Sequence, residues 1–385
     1  MTIAPVTPRP TRATTSMTLS RMHAPTLHTI PTAVAANVER MRSVTAARIM
    51  AVVKAEGYGL GAVTVARAAI DAGAQWLGVT DVDDAAELRA AGIDVPILAW
   101  LNPSGIDVAR AVIERVDIAL GSVEELRQLL ADAVALTAGR VRVHLHMDTG
   151  MSRGGVPLQD WAELLRVARS GRDRIEVVGV MGHLPCADAA DPAANAPAVL
   201  RMRQARDAVL RAGFGPFIVH LAATSGALTD PATHFDMVRI GAGLVGIDPS
   251  ETVALNGAAR LTASVVHSSL APAGTPVGYG GAYVTERTTR LSVIGVGYAD
   301  GIPRELADGA AVAIDGIRCP IVGRVSMDQI VVDTGDATVP RGTTAVVFGP
   351  EGGAVPSVQE WARWAGTIPH TIVTGIGSRV ERAIA

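Results

Sequence analysis

Short apolar runs recur along the chain from about residue 48 onward, and between them the apolar positions change to a helical spacing. The runs are Met50–Val53, Trp76–Val79, Val95–Ala99, Val116–Ala119, Val141–Leu145, Ile175–Met181, Phe217–His220 and Met237–Ile240. Each has the length of a strand, and its near-continuous apolar character suits burial on both faces. The intervals predict helices. Ala62, Val65, Ala66 and Ala69 share one helical face, Asp83 and Asp84 place negative charge ahead of Ala85–Ala91, and Glu124–Leu130 and Trp161–Val167 carry similar patterns. Eight strands alternating with helices predict an α/β fold, a parallel (β/α)8 TIM barrel. The alternative is an open doubly wound sheet. No G-x-G-x-x-G follows the first run, so its dinucleotide-binding form loses support.

After about Ser250 the pattern changes. Leu261–His267, Leu291–Val296, Ala310–Ile314, Ile330–Val332 and Ala345–Phe348 read as strands separated by Gly, Pro and Asp turns, with one helical stretch at Val358–Trp364. This predicts a second, mainly β domain. The expected organisation is an unstructured leader over residues 1–25, the barrel over 26–255 and the β domain over 256–385.

The 385 residues are 49% hydrophobic and 18% charged, a composition that excludes general disorder. The 34 basic and 37 acidic residues nearly balance, which argues against a broadly basic surface for nucleic acid. No apolar stretch is long enough to cross a bilayer. Two cysteines, Cys186 and Cys319, make a disulfide framework unexpected and point to a reducing, cytoplasmic location. The histidines show no metal-binding spacing, so no metal is expected.

Candidate chemistry collects where the strands end. Lys54 closes the first apolar run, at the barrel mouth where such folds keep their active sites. Partial burial there lowers an ammonium pKa and leaves an amine able to form an imine with a carbonyl. The plainer reading is a lysine reaching to solvent. Arg153, His183 and Ser225 follow the fifth, sixth and seventh runs, and Arg239 lies within the eighth. A buried arginine cannot discard its charge and needs acceptors, for which His183 is a candidate. Tyr58, Ser225 and Gly241 suit a phosphate, although Tyr58 also reads as a simple loop aromatic and Ser and Gly also serve as ordinary caps and turns. Ser225 lacks the G-x-S-x-G setting of a hydrolase nucleophile. In the second domain, glycines flank Tyr279 and Tyr298 and allow close backbone approach.

Six ordered segments carry a resemblance that runs from about residue 28 to the C-terminus. They are Ala51-Val52-Val53-Lys54 with Tyr58, Met147-Asp148-Thr149-Gly150-Met151 with Arg153, Val238-Arg239 with Gly241, Val277-Gly278-Tyr279-Gly280, Gly297-Tyr298-Ala299-Asp300-Gly301, and Gly323-Arg324-Val325-Ser326-Met327-Asp328-Gln329. The chain resembles the alanine racemase family, enzymes of fold type III that use pyridoxal 5′-phosphate. The resemblance implies an isomerase that interconverts L- and D-alanine for peptidoglycan synthesis. It implies that Lys54 holds the cofactor and acts as base on one face of the substrate, with Tyr279 of the other subunit of a homodimer acting on the opposite face. It further implies that Arg239 contacts the pyridine nitrogen with support from His183. Tyr58, Ser225 and Gly241 hold the phosphate, and Arg153 and Met327 orient the substrate carboxylate. Asp188, Tyr298, Arg304 and Arg324 line the substrate access path. A phenol is a poor base unless a cation stabilises its phenolate, and Arg153 is the candidate cation.

Some positions depart from the family pattern. His146 stands where a lysine is usual, Leu60 replaces a common histidine, His370-Thr371 replaces a Tyr-Glu pair, and Ser378 replaces a tyrosine found in some members. Serine or broad-specificity racemisation is therefore the alternative within the fold. From other classes, a non-catalytic pyridoxal-phosphate carrier would lack the β domain, and a decarboxylase or aldolase would share the lysine.

Overall fold

The structure, a computed structural model, describes residues 24–135, 139–189 and 191–385. The expected leader lies outside the described residues up to residue 23. The described chain begins with strand β1 (Thr26–Thr29) and a helix, Pro31–Val44. Eight strands follow: β2 (Arg48–Val52), β3 (Trp76–Val79), β4 (Ile97–Ala99), β5 (Val116–Leu120), β6 (Val141–His146), β7 (Ile175–Met181), β8 (Ile218–His220) and β9 (Met237–Ile240). Each pairs in parallel with the next, and β9 returns to β2 with Met237 opposite Arg48, closing the barrel. The period-two alternation of a strand sorts the side chains. Met50, Val52, Trp76, Leu98, Ala119, Met181 and Met237 form one apolar cluster, while Ile49, Ala51, Leu77 and Val79 belong to the larger core that includes the helices. Helix starts are capped by short polar side chains. Asp81 accepts from the Asp84 amide, ahead of the acidic pair seen in the sequence, and Ser122 accepts from that of Glu125.

The second domain is built on β10 (Ala259–Ala271), with β11 (Pro276–Val277), β12 (Tyr283–Val284), β13 (Thr289–Ile294), β14 (Ala311–Ile314), β15 (Ile317–Pro320), β16 (Ile330–Gly335), β17 (Thr344–Phe348) and β18 (Glu381–Ile384). β10 is long enough to serve two pairings. Residues 259–264 join β1 and β17, and residues 265–271 join β13, with a bulge between Val265 and His267. The helix Val358–Trp364 starts from a Ser357–Glu360 capping box and buries Trp361 against the sheet.

One expected boundary is corrected. β1 was placed in the barrel domain, beginning at residue 26, yet it pairs antiparallel with β10 and parallel with β18. Leu27 is fully buried there. A four-residue strand carries no signal of its partner, because its hydrogen bonds go to residues more than two hundred positions away.

The domains meet beside Lys54. A Cβ at Gly59 would lie 3.0 Å from the Val373 carbonyl oxygen, and the Tyr58 and His370 ring centroids are 6.2 Å apart. The short C-terminal helix Pro369–Thr374 therefore packs on the turn that follows the lysine.

Candidate active site

Lys54 lies two residues beyond β2, partly buried at the barrel mouth. The turn after it is left-handed over five consecutive residues, with φ of 52°, 56°, 60°, 60° and 82° at Ala55, Glu56, Gly57, Tyr58 and Gly59. Left-handed helical backbone costs about 1–2 kcal/mol at each residue bearing a Cβ. It is held by hydrogen bonds from the Gly57 amide to the Val53 carbonyl and from the Gly59 amide to the Ala55 carbonyl, both 2.9 Å. Glu56 accepts from the Ala62 amide. Such strain marks a position over-determined by its surroundings. Burial lowers the Lys54 ammonium pKa from its ordinary value, and the charge of Arg153 lowers it further. Lys54 is also the only lysine in the chain; the other 33 of the 34 basic residues are arginines. That count was a sequence signal left unused. An arginine can supply charge in place of lysine, but not a neutral amine.

Arg239, in the middle of β9, is buried and has no carboxylate among its hydrogen-bond partners in the described residues. Nη1 donates to His220 Nδ1 (3.0 Å) and the His220 carbonyl, and Nη2 donates to the Gly182 and Leu221 carbonyls and to His183 Nδ1 (3.1 Å). Nε has no protein acceptor among the described residues. Burial pulls the guanidinium pKa down to about 10, so it stays charged at neutral pH. The His183 ring is pulled down to about 3, chiefly by burial and then by the Arg239 charge. Because Arg239 only donates, His183 Nδ1 is the accepting nitrogen and its proton sits on Nε2. Thr149 braces the same residue, donating to the His183 carbonyl (2.7 Å) and accepting from its amide. His146 is held neutral in the same way, with its pKa lowered to about 4.

A donor-rich cradle lies beside Lys54. The Tyr58 hydroxyl has no protein partner among the described residues, and burial raises its pKa to about 12, so it remains a donor. It lies against Gly241, where a Cβ would stand 2.2 Å from the hydroxyl oxygen. The short helices Thr224–Thr229 and Ala242–Val245 start next to each other, tied by the Gly243 amide donating to Thr224 Oγ1 (3.0 Å). Their first N–H groups lack intrahelical acceptors, a suitable donor set for a phosphate. Ser225, the residue singled out in the sequence, donates its hydroxyl to Asp188 (3.1 Å). Thr224 beside it was missed. His370 packs against the Tyr58 ring, and its buried Nδ1 has no partner among the described residues. Gly241→Ala is expected to displace the Tyr58 hydroxyl and weaken binding of a phosphate-bearing cofactor about tenfold, the value of one charge-assisted hydrogen bond. A spectrophotometric cofactor titration measures this, and unchanged affinity would refute the role of the pair.

Asp148 Oδ1 accepts from the Gly150 and Ser152 amides and shapes the loop that presents exposed Arg153. The second domain gathers a separate group. The Tyr298 and Ala299 amides donate to the Ser326 and Met327 carbonyls (3.0 and 2.9 Å), and a Cβ at Gly297 would stand 2.3 Å from the Met327 oxygen. Glycine at 297 permits that approach. Gly278, at φ 71°, lies against the Arg324 backbone immediately before Tyr279. Tyr279 is 71% exposed and Met327 53% exposed. Within one chain, Tyr279 makes no side-chain hydrogen bond among the described residues. Arg304 pairs with neighbouring Glu305. Among the described residues, no group of three or more His, Cys, Asp or Glu side chains is arranged to hold a metal. No helix among them is long and apolar enough to cross a membrane.

Comparison with known proteins covers both domains. The family pattern described as alanine racemase, N-terminal domain, matches residues 31–249, and that described as alanine racemase, C-terminal domain, matches residues 258–384. The chain is 42% identical over 357 residues to an alanine racemase of Salinispora arenicola, covering 91% of this chain and 95% of that one. The alanine racemase of D-cycloserine-producing Streptomyces lavendulae superposes with a TM-score of 0.90 at 36% identity, covering 94% of this chain and 97% of that one. That of Bartonella henselae, solved with covalently bound pyridoxal phosphate, gives 0.82 at 28% identity, covering 94% and 99%.

Proposed function

The chain belongs to the alanine racemase family and is an isomerase that interconverts the enantiomers of alanine; we propose that it does so with pyridoxal 5′-phosphate held on Lys54, in a site completed by Tyr279 of the partner subunit. The observation that carries this reading is a lone lysine, its pKa lowered, between a buried uncompensated arginine and a phosphate-type cradle.

The residues present fit the cofactor. Tyr58, Gly241 and the amides about Thr224 and Ser225 would hold its phosphate, Lys54 its aldehyde carbon, and Arg239 Nε its pyridine nitrogen. When bound, the cofactor acidifies the Cα–H of an amino acid by accepting charge from the α-carbon. Everything else falls to the protein. Arg239 is a buried cation whose acceptors are all neutral, so it disfavours protonation of a neighbouring ring nitrogen. This limits how far charge is drawn into the ring and favours return of a proton to Cα over side reactions. Arg153 orients the substrate carboxylate with the Met327 amide of the partner subunit. Lys54 Nζ takes or returns a proton on one face of Cα, and the Tyr279 hydroxyl of the partner does so on the other. Exposure of Tyr279 and Met327 in the single chain agrees with their meeting a second copy.

Borohydride reduction of the cofactor-loaded protein, followed by peptide mapping, tests the attachment. One equivalent of label on the peptide containing Lys54 is expected. Label only at the N-terminal amine, or none, would overturn the reading.

A further inference from the structure

From Arg239 a polar chain runs through the barrel interior over residues that the reaction as described does not use. Arg239, His220, His144 and Asp117 come from β9, β8, β6 and β5 and are 5%, 0%, 0% and 2% exposed. Arg239 Nη1 lies 3.0 Å from His220 Nδ1, His220 Nε2 lies 2.8 Å from His144 Nδ1, and His144 Nε2 lies 3.4 Å from Asp117 Oδ2. At the far end Arg142 Nε donates to Asp117 Oδ1 (2.7 Å), with Nη2 3.3 Å from Oδ2. β7 makes room for the chain. A Cβ at Gly179 would stand 2.0 Å from His144 Nδ1, and the β6–β7 register shifts at this point. Trp76 closes the other side, edge-on to His144 with centroids 5.6 Å apart.

We propose that Asp117, near the N-terminal end of the barrel strands, is a positioning residue for Arg239, acting through a hydrogen-bonded chain of fixed polarity across His144 and His220. Its catalytic consequence rests on the reading that Arg239 meets the cofactor ring. The polarity follows from the two ends. A guanidinium only donates, so His220 Nδ1 accepts and its proton is on Nε2. That proton is donated to His144 Nδ1, which places the His144 proton on Nε2, directed at the carboxylate. A carboxylate only accepts, so the chain closes without conflict. Each ring has one permitted neutral tautomer. Burial beside Arg239 holds His220 well below its ordinary pKa, in keeping with a neutral ring. The locked ring presents a lone pair to Nη1 and helps fix the plane of the guanidinium.

Asp117→Asn reverses this chain. The asparagine oxygen turns to Arg142, which can only donate, and its NH2 group then faces the His144 Nε2 proton. Both rings must move their protons to Nδ1, leaving His220 N–H against Arg239 N–H. Removing Arg142 as well frees the asparagine oxygen to turn towards His144.

The test is 15N NMR of histidine-labelled full-length protein together with alanine turnover. In the parent, His144 and His220 are expected to carry their proton on Nε2 alone. Asp117→Asn should move them to Nδ1 and lower kcat about tenfold with KM changed less than about twofold. Arg142→Ala in that background should restore the Nε2 tautomers and most of the turnover, while Arg142→Ala alone leaves both near the parent. A merely structural ion pair predicts the double variant to be no better than Asp117→Asn. That result, or Nδ1–H or protonated rings in the parent, would overturn the proposal. The parent spectrum decides even if Asp117→Asn fails to fold. Failure of the cofactor reading is recorded separately, as absence of label at Lys54.

Discussion

Replacement of Lys54 by arginine is expected to remove racemisation, with kcat/KM lowered at least about 10⁴-fold. The substitution keeps a positive charge at the barrel mouth and tests the amine alone. Arginine stays protonated, so it can neither attack an aldehyde carbon nor take a proton from Cα. Lys54→Ala should fall equally far but regain measurable turnover with added methylamine, which restores an amine without its tether. No second side-chain amine exists in the chain to take over. The measurement is formation of D-alanine from L-alanine under saturating cofactor. Retention of more than about one-hundredth of parent activity by Lys54→Arg would remove this residue from the chemistry, since the loss of a general base alone costs about 10²–10⁴-fold.

Tyr279→Phe should cost about 10³-fold, within the range for loss of a positioned general acid or base. The loss should be divided between the two faces of the substrate. Lys54 remains, so solvent deuterium should still exchange into one enantiomer while inversion is blocked. A mixing experiment locates the tyrosine. Dimers of Lys54→Ala chains and of Tyr279→Phe chains are each inactive. A mixed dimer that shares its sites across the interface contains one site with both native groups. Random reassortment of equal amounts should therefore restore about one quarter of parent activity, because half of the dimers are mixed and each has one of two sites intact. Recovery below about one-hundredth would place both residues in the same chain's site. The exposed Tyr279 and Met327 support the shared arrangement, since a lone subunit leaves both uncovered.

Much of the architecture was readable along the chain. Six of the eight barrel runs match the strands to within a residue at each end, and Trp76–Val79, Ile175–Met181 and Met237–Ile240 coincide with them. A strand buried on both faces leaves a continuous apolar run, and amphipathic helices between runs leave their own spacing. Shorter pieces were not readable. Pro276–Val277 and Tyr283–Val284 are two residues each, too short to show alternation, and Glu381–Ile384 is mostly exposed. Asp117 and His144 were passed over because they lie inside runs read for their apolar neighbours. A charged or ionisable residue in the middle of a buried strand was the available signal.

The sequence by itself determined the alternation of strands and helices, the change to a β-rich second half, and the placing of one amine at the end of the first barrel strand. These depend on periodicities of two and 3.6 residues, which are local and survive in a linear pattern. Only the tertiary structure decided that β1 joins the second domain, that Thr224 reaches Gly243 while Ser225 turns to Asp188, and that two histidines link Arg239 to Asp117. Those outcomes depend on strand register and on which polar atoms face one another across the closed barrel. A shift of one residue in a strand exchanges its inner and outer faces, so contacts between distant segments are settled by the packing of the whole.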